Sequence, residues 1–228
     1  MKTKILIVLS SVLMFQGLTA QKLSRAFDQS KVDTIYFFSP MGEILLPGGQ
    51  VNEYLSISFK EGLETSINTA LTKVHPVFVP VDEHMDSIIF NKLFLNISSI
   101  EDIHRHDFDT ASISPDVMNI LNTQKGRYVG FMFYNGFSQK NYEAKLVGST
   151  LLFVTTLVLS AGEYYYAAFP QEPYAEAIMI IADKETGHYL FFGREKVVGD
   201  PLGPHASLSI ANKYRMDLFR ENKDDSLF

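Results

Sequence analysis

Apolar side chains recur at helical spacing in two parts of the chain. Over residues 59–74 they predict an amphipathic helix and occupy every third or fourth position, at Phe59, Leu63, Ile67, Leu71 and Val74. Ser58 and Glu61 have the spacing of a capping box, so we expect the helix to begin at Ser58. The same spacing over residues 206–220 predicts a closing helix.

Short dense runs of apolar and aromatic residues predict the strands. They are residues 34–39 (TIYFFS), 128–134 (YVGFMFY), 164–169 (YYYAAF), 177–182 (AIMIIA) and 189–192 (YLFF). Residues 76–80 (PVFVP) must be extended, because each proline fixes its own φ and disfavours a helix before it. Asn135-Gly136 is a turn dipeptide that we expect to close the strand before it. Residues 183–187 (DKETG) predict a hairpin turn between the last two runs, because Asp starts turns and Gly supplies the positive φ.

The order of these elements indicates the fold class. Ser114-Pro115 predicts the start of a short helix that ends near Thr123. Residues 84–100 are too uniformly apolar to show one period, and either a buried helix or a helix followed by a strand fits them. We therefore predict an α/β protein, a single domain with a mixed, partly antiparallel central sheet of about five strands packed with helices.

Residues 144–161 form the longest stretch of low polarity after the N-terminus. No charge occurs between Lys145 and Glu163, yet the run is shorter than the roughly 20 residues of a membrane-spanning helix. A helix buried against the sheet is our interpretation. Two alternatives stay open, a membrane-inserting hairpin and an oligomer interface, and both require the segment to leave the core.

The N-terminus predicts export. Lys2 and Lys4 precede an apolar run, and a small residue, Ala20, precedes Gln21. This pattern indicates a signal peptide over residues 1–20, cleaved after Ala20, and a globular domain over residues 21–228. Cleavage removes two lysines and no acid, so the formal charge changes from −6 to −8. An acidic chain without a basic stripe is a poor ligand for nucleic acid.

The chain has no cysteine, which excludes disulfides, thiol nucleophiles and cysteine-bound metals. No cysteine follows the signal to accept a lipid, so we do not expect a lipoprotein. Export without disulfides favours a bacterial envelope, in the periplasm or on the surface of a Gram-negative cell.

One cluster has the residue types of a metal site. His104 and His106 alternate along the chain and are followed by Asp107 and Asp109, a set that can hold zinc or a similar divalent ion. A second run, DEHMD at residues 82–86, has a similar alternation. A solvated polar loop is the simpler interpretation of both. The sequence contains no HExxH, GxSxG, SxxK, GxxxxGK[ST] or GxGxxG motif.

Two parts of the chain carry a resemblance. Ala20-Gln21 at the end of the signal resembles exported proteins of Bacteroidota. Residues 125–220, with Tyr164-Tyr165 and Asp200-Pro201, resemble uncharacterised secreted proteins of that group. The layout is also similar to the mixed-sheet periplasmic domains of curli-secretion and Tol-type envelope proteins. This resemblance implies an envelope location and no particular activity.

Our hypothesis from the sequence is an exported, non-enzymatic accessory or binding domain of the cell envelope. Its partner would be an envelope protein or a small ligand, it would need no cofactor, and residues 144–161 are its one candidate for membrane contact. The alternative is a metal-dependent hydrolase in which His104 and His106 bind the ion and Asp107 or Asp109 accepts a proton.

Overall fold

The computed structural model describes residues 21–23, 27, 32–71, 77–81, 92, 95, 97, 99–100, 102–103, 107–160, 169–203 and 205–219. Predictions for the signal peptide, most of residues 84–100 and the strand at 164–168 lie outside the described residues. The elements in chain order are β1 (Gln21–Leu23), β2 (Thr34–Phe38), β3 (Met41–Leu45), α1 (Glu53–Leu71), β4 (Val77–Val81), a 3-10 turn (Phe108–Thr110), α2 (Pro115–Thr123), β5 (Tyr128–Phe137), α3 (Tyr142–Leu159), β6 (Tyr174–Asp183), β7 (His188–Val198) and α4 (Ala206–Leu218).

The strands form one mixed sheet in the order β1-β7-β6-β5-β2-β4, and β3 pairs with β5 as a seventh strand. β2 runs parallel to β4 and β5, whereas β5, β6 and β7 are successively antiparallel. The predicted α/β class with a mixed sheet is confirmed. The described sheet has seven strands, because β1 and β3 add to those predicted and the extended segment at residues 77–81 pairs with β2 as β4.

β2 and β3 pair one after the other with the same edge of β5. β2 pairs with the first three residues of β5, and β3 pairs with residues 133–137. The prediction that Asn135-Gly136 closes β5 is wrong, because β3 and β6 hold both residues within the sheet. Gly136 serves close packing: a Cβ there would lie 2.6 Å from Ile44 Cδ1 and 2.8 Å from the main-chain oxygen of Tyr174.

Each face of the sheet carries its own apolar core. On one face, α1 and α4 cover the sheet with Phe59, Leu63, Ile210 and Tyr214. On the other face, α2 packs against Phe131, Phe133, Ile180 and Phe192, together with Ile97, Ile100, Phe108 and Ile113. The Tyr214 hydroxyl is fully buried and donates to the main-chain oxygen of Ala177 at 2.5 Å, which fixes α4 to β6. The chain therefore forms three layers, helices on both sides of the sheet.

The helix predicted over residues 59–74 begins earlier than expected. α1 starts at Glu53, and the Asn52 side chain caps it by accepting a hydrogen bond from the Leu55 N–H at 3.0 Å. The predicted capping box at Ser58 is wrong because Ser58 lies inside the helix. The predicted α2, the hairpin with Gly187 at φ 70° and the closing helix α4 are confirmed.

Candidate functional site

α3 is a helix that turns its apolar side chains outward. It occupies Tyr142–Leu159, which confirms the predicted helix, and it begins after Asn141, whose φ is 56°. The prediction that this helix is buried is wrong. Among its described side chains, the only partly buried ones form a narrow stripe of Tyr142, Leu146, Ser149, Phe153 and Thr156, continued by Ser160 just beyond the helix.

The stripe that faces the protein is mixed, with Ser149, Thr156 and Ser160 between aromatic and aliphatic side chains. Its members follow at intervals of four and three residues, so they line one side of the helix. Phe153 packs on Phe169 with ring centroids 6.1 Å apart. The Thr156 hydroxyl donates to the main-chain oxygen of Phe153 at 3.1 Å, so the helix itself accepts this hydrogen bond.

The opposite side, which we call the outer face of α3, is apolar and exposed. Leu159 is 81% exposed, Val158 70%, and Val147 and Leu151 both 67%. The face consists of Val147, Leu151, Leu152, Val154, Val158 and Leu159. An ordinary surface helix has the reverse arrangement. A contiguous apolar patch of this kind marks a surface that another molecule covers.

The outer face has the spacing of a helix–helix seam. Val147, Leu151, Val154 and Val158 follow at intervals of four, three and four residues, the pattern by which two helices pack along each other. A Cβ at Gly148, beside the seam, would have no atom within 4 Å, so the backbone there is accessible. Of the helices in the described part of the chain, none combines the length and apolarity that crossing a bilayer requires.

A cavity of about 280 Å³ lies where β2 and β4 end. Its apolar walls include Phe37 and Phe78, whose rings meet edge to face with centroids 6.0 Å apart, and Ile67 of α1. Pro40 and Pro80 add two further rings. Because β2 and β4 are parallel, the cavity lies at the carboxyl ends of both strands.

Three polar side chains also line the cavity. Glu64 and Asn68 project from successive turns of α1, and Ser39 directly follows β2. The Ser39 hydroxyl donates a hydrogen bond to Oε1 of Glu64. The cavity therefore has an apolar body and one wall that carries a carboxylate, an amide and a hydroxyl.

Sequence reasoning did not identify these residues. The polar positions Glu64 and Asn68 flank the apolar Ile67 on α1, and Ser39 follows a strand, but such positions are common on any helix–strand unit. Only the parallel pairing of β2 with β4 brings them together.

The predicted metal cluster is only partly described. His104, His106 and the second run at residues 82–86 lie outside the described residues. Asp107 is exposed, and its main-chain oxygen accepts hydrogen bonds from the N–H and the hydroxyl of Thr110; Asp109 lies in the 3-10 turn. Within the described ranges, no group of three or more His, Asp or Glu side chains is arranged to hold a metal. The site stays a prediction, tested by comparing the metal content of the wild type with that of the His104→Ala, His106→Ala variant.

Other buried carboxylates are held in ion pairs within the sheet. Arg127 donates to both oxygens of Asp183, at 2.9 and 2.7 Å. Burial alone would raise the pKa of Asp183, but the hydrogen bonds from Arg127 and from the Glu185 N–H hold that pKa below its ordinary value. Lys213 pairs with Glu195, which is fully buried. The two ion pairs are separated along the sheet, and each joins neighbouring elements of the fold. We therefore assign both pairs a structural role.

The comparisons with known proteins give similarities of fold only. No family model and no curated protein matches the chain. A PelC dodecamer structure from Paraburkholderia phytofirmans has a TM-score of 0.39 and 9% identity, over 89% of this chain and 98% of that one. The hypothetical protein CT253 from Chlamydia trachomatis has a TM-score of 0.42 and 8% identity, over 83% and 99%. The lipoprotein GNA1162 from Neisseria meningitidis has a TM-score of 0.32 and 11% identity, over 73% and 83%.

At these values the likeness is confined to the layout of the chain and assigns no activity. The expected likeness to periplasmic domains of envelope proteins stays a prediction. The resemblance to Bacteroidota proteins stays a prediction.

Proposed function

We propose that this protein is an accessory domain of the cell envelope that associates with further copies of itself through the outer face of α3. The observation that carries the proposal is the reversed polarity of this helix. Six aliphatic side chains are exposed on this helix, beside Thr150 and Thr155, while three hydroxyl residues, Leu146 and two aromatic rings face the protein. In water such a face is stable when a second apolar surface covers it.

A second helix fits the outer face better than a lipid surface. Helices that lie on membranes carry rows of Lys or Arg on the polar face, which attract anionic lipids. α3 has one basic residue, Lys145, in its first turn, where Glu143 offsets it. The heptad spacing of Val147, Leu151 and Val154 instead matches the knobs-into-holes packing of two helices.

An antiparallel pair of α3 helices is the arrangement that the charges favour. Both charged residues, Glu143 and Lys145, lie near the N-terminal end, and the C-terminal half is uncharged. A parallel pair would place each charge beside its own copy, whereas an antiparallel pair faces it with uncharged side chains. Gly148, whose surroundings are open, leaves room for the two backbones to approach.

The location in the envelope is supported by the N-terminal residues. Lys2 and Lys4 before an apolar run, and Ala20 before Gln21, are the pattern of an export signal. The acidic charge of the chain is compatible with a protein-binding role and unfavourable for nucleic acid.

Cysteine cross-linking tests the interface directly, because the chain has no cysteine of its own. We would introduce a single cysteine at Leu151 or Val154, near the middle of the outer face, and oxidise the protein from residue 21 onward in detergent-free buffer. The expected product is a disulfide-linked dimer, since residues near the centre of an antiparallel pair face each other.

The matched control is Glu61→Cys, an exposed position on α1. It should give little dimer under the same conditions. Equal yields from Glu61→Cys and Val154→Cys would show that the cross-links form by random collision, and the proposal would fail. Purification of the wild type as a monomer at every concentration would contradict it as well.

A further inference from the structure

The cavity beside α1 lies outside the carboxyl ends of β2 and β4, the end of an open α/β sheet at which ligands bind. The chain leaves β2 towards β4 through α1 on one face, and it reaches β5 from β4 by way of α2 on the other face. In such a sheet, ligands bind outside the carboxyl ends of the strands, where the connections diverge. β3 fills this place between β2 and β5, so the open crevice lies on the other side of β2, against β4 and α1.

The size of the cavity suits a small molecule. Its volume of about 280 Å³ compares with about 30 Å³ for one water molecule in the liquid, so it holds a ligand of roughly nine or ten non-hydrogen atoms. Phe37, Phe78, Pro40, Pro80 and Ile67 supply apolar contacts for the body of such a ligand. Apolar walls with a few convergent polar groups are typical of small-molecule sites.

The polar groups of the cavity select the charge of the ligand. Glu64 uses Oε1 to accept the Ser39 hydroxyl, and among the described residues nothing donates to its Oε2. None of the ten described lining residues is Lys, Arg or His. A carboxylate that has no basic partner among these described lining residues favours a positively charged group, and the aromatic rings of Phe37 and Phe78 line the same cavity.

We propose that this cavity binds a small primary ammonium compound with an apolar body, whose ammonium group pairs with Glu64. The Ser39 hydroxyl, which donates to Glu64, can in turn accept a hydrogen bond from the ammonium at the same wall. The aromatic and proline rings contact the body of the ligand and exclude an anionic end.

Methyl NMR with three probes of similar size tests this proposal. The protein from residue 21 onward is labelled at the methyl groups of Ile and Val, so that Ile67 and Val81 report on the cavity. Phenethylammonium, 2-phenylethanol and phenylacetate differ in charge and share the same ring. We expect phenethylammonium to shift the methyl signals of Ile67 and Val81, with an affinity about tenfold above that of the alcohol. The carboxylate should cause no shift.

Two variants on α1 identify the group responsible. Glu64→Gln keeps the shape and removes the charge, and it should reduce the affinity for phenethylammonium about tenfold while leaving the alcohol unaffected. Glu61→Gln removes an exposed charge less than one turn away and should leave both affinities unchanged. The inference is wrong if Glu61→Gln reduces binding as much as Glu64→Gln, or if neither variant changes it.

The comparison of the three probes on the wild type does not depend on any variant folding. Equal affinities for the ammonium and the alcohol, or no shift at Ile67 and Val81 with any probe, would overturn the proposal. The result is also independent of the outer face of α3, because the reporting methyl groups lie at the ends of α1 and β4.

Discussion

Replacing Leu151 by glutamate tests the association of protomers separately from the folding of each protomer. Leu151 lies near the middle of the outer face and is 67% exposed in the protomer. Leucine and glutamate have nearly equal helix propensities, so the substitution should change the free energy of unfolding of the protomer by less than about 0.5 kcal/mol. Its effect on an α3–α3 interface should be much larger, because the charge would enter an apolar contact.

The expected loss of association free energy follows from the exposed fraction of the Leu151 side chain. Burying a fully exposed leucine contributes about 1.5–3 kcal/mol, so burying the remaining two thirds of Leu151 contributes about 1–2 kcal/mol in each copy. A two-fold interface contains this side chain twice, which gives about 2–4 kcal/mol. Leu151→Glu should therefore raise the dissociation constant about 30-fold to 1,000-fold, before the desolvation of the new charges is added.

Sedimentation velocity across a wide range of protein concentration measures this shift, and circular dichroism melting shows that the protomer still folds. The matched control is Leu208→Glu on α4, since Leu208 is 41% exposed and lies on a different helix. The reasoning is refuted if Leu151→Glu leaves the distribution of oligomers unchanged, or if Leu208→Glu dissociates the protein to the same degree.

Three further predictions concern the stability of the sheet. The lowered pKa of Asp183 in the folded protein means that its ion pair stabilises the fold above the unfolded pKa of about 3.9 and loses this effect as the pH falls through the folded value. Urea unfolding of Asp183→Asn should accordingly depend less on pH below about 4 than that of the wild type. Lys213→Ala leaves the fully buried Glu195 without its lysine and should lower the free energy of unfolding by about 3 kcal/mol; adding Glu195→Gln should recover part of the loss in denaturant titrations. Gly42→Ala would place a Cβ 1.7 Å from a main-chain oxygen of β5 and should lower the melting temperature strongly, whereas Gly148→Ala, with open space around it, should not.

The elements that the sequence predicted correctly are those whose signals are local. The strands at residues 128–134 and 177–182 are dense apolar runs, and the turn between β6 and β7 has a glycine at φ 70°. Helix α2 follows the Ser114-Pro115 pair. In each case the residues that decide the structure are neighbours in the chain, so no knowledge of distant contacts was needed.

The wrong prediction at the end of β5 depends on distant contacts. Asn135-Gly136 is a turn dipeptide by composition, yet β3 and β6 pair on both sides of it and keep it extended. The small residue Gly136 is needed because Ile44 and the main chain of Tyr174 approach closely. The cavity is beyond sequence reasoning for the same reason, since Ser39 and Glu64 meet only after α1 has packed on the sheet.

The error about α3 has a different cause, and it bears on the proposed assembly. The high apolar content of residues 144–161 predicts burial in the core of one protomer. Composition alone, however, does not show whether the same protomer or another molecule covers the apolar side of the helix. The periodicity resolves this: Ser149 and Thr156 lie on the inward stripe, and Leu151 and Val158 lie on the outer face one half-turn away. Hydroxyl groups tolerate the inward side because the helix main chain accepts their protons, as Phe153 does for Thr156. The aliphatic side chains have no such compensation in water. Association of two α3 helices would bury these side chains in the oligomer, whereas the sequence predicted that they are buried within one protomer.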